Sequence, residues 1–154
     1  MGFHRGIRGV ALCVALLVGG AAPLVGQGLS PVGKWRTVDD RTHQEKSTVR
    51  LTEVNGEVQG TVEVVFSPPS PNTHPICENC PGAFRDKPIV GMRIIWGLRK
   101  DGDEYTGGQV FDPDNKKTYR CKLRLVDGGK KLELRGFIGF ALIGRTQTWV
   151  REPS

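Results

Sequence analysis

Histidine is scarce in this 154-residue chain. Beyond residue 28 only His43 and His74 occur, and neither lies in a nucleophile motif with serine and aspartate partners. Ser-His-Asp hydrolysis therefore finds no support, and an enzyme is not expected. After the N-terminal region no apolar run approaches the roughly 20 residues of a membrane-spanning helix, so no membrane span is expected. Dense basic clusters are also missing: Arg50, Arg93, Arg99, Lys122, Arg124 and Arg135 are spread along strand-like segments with no aromatic-basic stripe, which argues against nucleic acid as a partner. No helical period, internal repeat or long linker follows the N-terminal region. Asp112-Pro113-Asp114-Asn115 lacks the regular oxygen ligands and distant Glu of a calcium loop and reads as a turn. Neither a cofactor nor a metal is implied.

What is present begins with a leader. Arg5 and Arg8 precede an uncharged apolar stretch from Val10 to Val18, and Gly20 and Ala22 occupy small-residue positions. Residues 1–22 read as a secretory signal, with Gly26 and Gly28 leaving the boundary open as far as 28 and a retained N-terminal anchor as the alternative. Export would place the protein in the periplasm or outside the cell. Removing Arg5 and Arg8 lowers the formal net charge from +6 to about +4. That charge allows a weak attraction to anionic envelope surfaces, although an ordinary solvated face is the plainer reading.

Residues 29–154 form one domain of strand-length alternating segments separated by turn signals, the pattern of an all-β barrel or sandwich with eight or nine strands. Strands are predicted over Gly33–Val38, about Lys46–Val54, Glu57–Phe66, Ile89–Arg99, Tyr105–Phe111, Lys117–Val126 and Lys131–Arg135, with a closing strand ending near Arg151. Asn55-Gly56 is a two-residue hairpin signal. Between Glu57 and Phe66, Val58, Gly60, Val62, Val64 and Phe66 share one face; between Lys117 and Val126, Tyr119, Cys121, Leu123 and Leu125 do. Gly136 to Gly144 is the most apolar segment beyond the leader, and its glycines suggest bends: a buried strand pair or a turn plugging one mouth of the barrel both fit.

Seven stretches carry a resemblance: Gly33-Lys34-Trp35, Cys77-Glu78-Asn79-Cys80, Asp86 to Gly91, Trp96-Gly97-Leu98, Gly107 to Pro113, Arg135 to Gly139 and Leu142 to Trp149. Together they resemble a family of small exported bacterial proteins with a lipocalin-like barrel, catalogued as domain of unknown function number 2147. The resemblance implies a calyx able to hold one small apolar molecule; with the strand and turn signals, the chain reads as a single up-and-down antiparallel β-barrel of about eight strands, lipocalin-like, and is expected to be monomeric or weakly dimeric. It implies no established activity.

An eight-stranded barrel is either just filled by side chains or able to hold one small ligand, and the inward residues leave both open. Phe66, Ile94, Trp96, Tyr119, Leu123 and Phe137 are the candidate ligand contacts. Gly33, Trp35, Arg145 and Trp149 are assigned to barrel closure, the arginine lying flat over the Trp35 indole, with Arg151 as a rival for Arg145. Cys77 and Cys80, three apart in a proline-rich loop, are expected to pair as a disulfide, leaving Cys121 as an inert buried thiol; a redox-active pair and a zinc site including His74 are the competing readings. Binding of a small hydrophobic or amphipathic ligand is the leading functional expectation. The alternative is a filled barrel that presents the Ser67 to Asp86 loop to an envelope protein.

Overall fold

Alternating apolar positions and tight turns generate eight strands: β1 Gly33–Val38, β2 Glu45–Val54, β3 Glu57–Val65, β4 Arg93–Asp101, β5 Glu104–Asp112, β6 Lys117–Val126, β7 Lys131–Phe137 and β8 Gly144–Arg151. The computed structural model describes residues 1–2, 29–66 and 74–153. The expected leader cleavage points fall outside these residues, as does part of the loop between β3 and β4. Each strand pairs antiparallel with its successor, and β8 returns to β1 through Trp35↔Arg151 and Arg36↔Val150, closing an up-and-down barrel. Asn55 and Gly56, both at positive φ, make the β2–β3 turn, the conformation that Asn-Gly selects in a two-residue hairpin.

The two ends of the barrel differ. Both the first described strand and the last meet at the end that carries the β2–β3, β4–β5 and β6–β7 turns, and this end is packed. Leu51, Val58, Ile95, Leu98, Leu123 and Leu132 are buried there, close enough that a Cβ on Gly60 would lie 2.9 Å from Leu51 Cδ2 and 3.1 Å from Ile95 Cβ. Such interdigitation leaves no room for a guest.

Trp35 is fully buried beneath this end, and its indole Nε1 donates to the Pro31 carbonyl at 2.7 Å. The guanidinium over it belongs to Arg151, 4.2 Å from the ring centroid, and not to Arg145. Arg151 donates to the carbonyls of Gly129 (2.7 Å), Val32 (2.9 Å) and Ser30 (2.7 Å), tying the chain ahead of β1 to the β6–β7 turn. Burial lowers its pKa from the ordinary value. Gly33, at φ 139°, makes room: a Cβ there would sit 2.9 Å from Arg151 Nη1. Arg145 lies six residues earlier on β8, about 20 Å away along an extended strand, and pairs with Asp40 at the opposite end. The closing arginine is therefore the one whose strand position meets β1, which corrects the assignment to Arg145.

Candidate functional site

At the other end the strands outrun their core. The β1–β2, β5–β6 and β7–β8 loops rim a cavity of about 670 Å³ that opens to solvent between them. Its apolar wall combines Val62, Ile94, Val110, Leu134, Phe137 and Trp149, with Ile89 and Val65 nearer the rim. Polar groups are few and mostly engaged. Thr37 and Ser47 share a 2.8 Å hydrogen bond, the Trp149 indole donates to Gln147 Oε1 at 3.2 Å, and the Tyr119 hydroxyl accepts from Asn115 Nδ2 at 2.9 Å. A few polar handles in an apolar hollow orient a guest without imposing a charge on it.

Charge collects at the rim. Lys46 pairs with Asp114, and Arg145 with Asp40. The Asp39 carboxylate accepts the backbone N–H groups of Thr42 and Arg41, which hold its pKa down to about 2. Asp112 accepts the N–H of Asp114 at 2.9 Å, fixing the β5–β6 turn.

The sequence-predicted residues divide among three places. Ile94, Tyr119 and Phe137 come together on the cavity wall. Leu123 points inward but lies buried at the packed end, away from the cavity. Phe66 and Trp96 lie outside it, for reasons of register. The β2–β3 pairing slips between Thr48 and Val49, so that Val49 faces Val62 while Thr48 faces Val64. One extra residue on β3 reverses its alternation: Val64 and Phe66 are exposed, Arg36 stands over the Phe66 ring at 5.5 Å, and Val65 turns to the cavity. A similar slip in the β3–β4 pairing between Val58 and Gly60, opposite Gly97 at φ 77°, sends Trp96 to the outer side, where Phe84 of the loop lies 6.2 Å from it and stacks on Phe111 at 3.9 Å. Trp149, which the sequence places at the closure, instead lines the cavity, two residues inward of Arg151. The polar trio Thr37, Ser47 and Gln147 went unrecognised. Gln147 was accessible through its same-face spacing to Trp149, whereas nothing in β1 and β2 announces the other two.

Cys77 and Cys80 form a disulfide with a Cα–Cα separation of 5.5 Å, and both are buried. Each sulfur is thereby committed to its partner. Among the described residues no group of three His, Cys, Asp or Glu side chains could hold a metal ion. Cys121 is free and buried, and burial pushes its thiol up to about 12. No described helix is long and apolar enough to cross a membrane.

Comparison with known proteins agrees with this architecture. Residues 33–151 match the family model described as "Uncharacterized protein conserved in bacteria (DUF2147)". No curated protein matches the chain. Among solved structures, one described as "Protein HP1028 from the human pathogen Helicobacter pylori belongs to the lipocalin family" superposes with a TM-score of 0.70 at 20% identity, covering 81% of this chain and 84% of that one. At that identity the likeness is one of fold.

Proposed function

This chain belongs to the DUF2147 family of uncharacterized bacterial proteins, and from its half-hollow barrel we propose that it is an exported carrier of one small hydrophobic or amphipathic molecule. The observation that carries this reading is the cavity itself, about 670 Å³ with an apolar wall and a packed floor. That volume lies within the range of small-molecule sites. An apolar tail would rest against Leu134 and Trp149, while a polar end could meet Thr37, Ser47 or the charged rim. The leader-like residues ahead of the barrel support periplasmic or extracellular delivery. Binding, with no chemical step, is the activity assigned.

The alternative of an envelope interaction module gains less support. It needs a filled barrel and an outward-facing loop, whereas the interior is hollow at one end and the disulfide is buried.

The test fills the hollow. Gly136 lines the cavity, and a Cβ there would touch Tyr119 Cβ at 3.6 Å and Val110 Cγ1 at 3.7 Å, ordinary contacts that leave the backbone undisturbed. Gly136→Phe should therefore fold and occupy the guest's space. A naphthylamine-type fluorescent probe is expected to brighten and to quench tryptophan emission in the native protein, with at least about tenfold weaker uptake in Gly136→Phe. Equal uptake by both would overturn the reading.

A further inference from the structure

The hairpin between β7 and β8 is the least water-like surface of the described molecule. Ile138, Phe140, Leu142 and Ile143 are exposed at 66%, 80%, 91% and 72%, and no charged residue occurs from Gly136 to Gly144. Single exposed apolar side chains are ordinary; four within six residues at the tip of one hairpin are not. The expectation that this segment is a buried strand pair or a plug in the barrel is thus corrected: it rims the mouth and points outward.

All five carbonyls from Gly139 to Ile143 are satisfied within the protein. Arg120 Nη1 donates to Gly139 at 3.5 Å, the Ile143 N–H to Phe140 at 3.0 Å, Arg135 Nε to Ala141 at 2.7 Å, Arg135 Nη2 to Leu142 at 3.2 Å, and the Ile138 N–H to Ile143 at 3.4 Å. These bonds tie the tip to the Arg120 and Arg135 guanidiniums at its root, so that its apolar side chains are presented on an ordered hairpin.

The charge around the hairpin selects the occupant. The rim acids are already engaged: Asp114 with Lys46, Asp40 with Arg145, and Asp39 and Asp112 with backbone N–H groups of their own loops. Arg41, Arg120 and Arg135 make no ion pair among the described residues. An apolar tip with unpaired arginines at its root matches an anionic lipid surface, where apolar side chains sink about 5–10 Å and cations meet phosphates.

We propose that the β7–β8 hairpin is a membrane-insertion element: Phe140 and Leu142 lead it into the acyl layer of an anionic bilayer, and Arg120 and Arg135 stay at headgroup level. Docked in this way, the cavity mouth faces the lipid, so that an amphipathic guest could pass between bilayer and barrel without crossing water. The docking stands on the hairpin alone; its use for loading rests on the carrier reading above.

Vesicle co-sedimentation of the purified protein tests it, using phosphatidylcholine with and without about one-fifth phosphatidylglycerol, beside the double variant Phe140→Asp/Leu142→Asp. Both replaced side chains are exposed, so the variant should keep the native melting temperature. The native protein is expected to bind the anionic vesicles, to bind pure phosphatidylcholine more weakly, and to lose at least about tenfold in partitioning on the double substitution. Probe uptake in vesicle-free solution should be equal for both. Absence of binding by the native protein, or equal binding by the variant, would overturn docking. So would a native dimer that the double substitution converts to a monomer with no vesicle binding in either, because a second copy would then be the cover. Vesicle binding with no probe uptake would uphold docking and sink the carrier reading.

Discussion

Replacing Arg151 with methionine should destabilise the barrel far more than the same change at Arg145, although both arginines lie on β8. Arg151→Met removes three donors, to Gly129, Val32 and Ser30, and the cation standing over Trp35. Each hydrogen bond contributes about 1 kcal/mol net and the ring contact about 0.5–2 kcal/mol; allowing for shared ordering of one side chain, the loss is about 3–4 kcal/mol. Methionine keeps an apolar body over the indole, so the deficit reports the donors and the charge. In a barrel of this size 1 kcal/mol moves Tm by about 3–5 °C, which puts the drop at about 10–20 °C. Arg145→Met gives up one pair with Asp40 on the exposed rim, where such pairs contribute about 0–1 kcal/mol. Its Tm should fall by no more than about 5 °C. Thermal unfolding followed by far-ultraviolet circular dichroism, with both variants in one buffer, gives the comparison. If Arg145→Met falls as far as Arg151→Met, the account of how the barrel closes is refuted.

Two further outcomes follow from single groups. The Asp39 carboxylate, held down to about 2 by the N–H groups of Thr42 and Arg41, favours the folded state above its unfolded value near 4, and that contribution disappears as pH falls toward 2. Asp39→Ala should accordingly melt below the native protein at pH 6, with the gap closing between pH 4 and pH 2; a gap unchanged at pH 2 would rule out the carboxylate as its cause. Cys121, buried and pushed up to about 12, should resist iodoacetamide at pH 8 in the folded protein and react fully in urea. Rapid alkylation of the native protein would show that the thiol is not enclosed.

Strand order and much of the strand boundaries were legible because alternation and turn chemistry are local. Lys117–Val126 reads from its period alone, and Asn55-Gly56 declares the hairpin it makes. The interior was less legible because a one-residue slip reverses every following side chain. The sequence from Glu57 to Phe66 shows an unbroken alternation through Val62, Val64 and Phe66; only the pairing of β3 with β2 reveals the extra residue that turns the last two outward. Trp96 similarly fits an inward face until Phe84, distant in sequence, covers it from outside. The choice between Arg145 and Arg151 depended on which end of β8 meets Trp35, a question of register that composition does not address. Whether the barrel is hollow is a question of volume: the same apolar residues fill one half around Leu98 and line an empty half around Leu134.

The central claim is that the hollow half holds an apolar or amphipathic guest, and native mass spectrometry of the protein purified from its own host's envelope fraction tests it most directly. The account predicts a stoichiometric small-molecule adduct in the native protein that is absent from Gly136→Phe prepared in parallel. A clean unliganded mass for the native protein, together with no uptake of an added lipid probe, would contradict it.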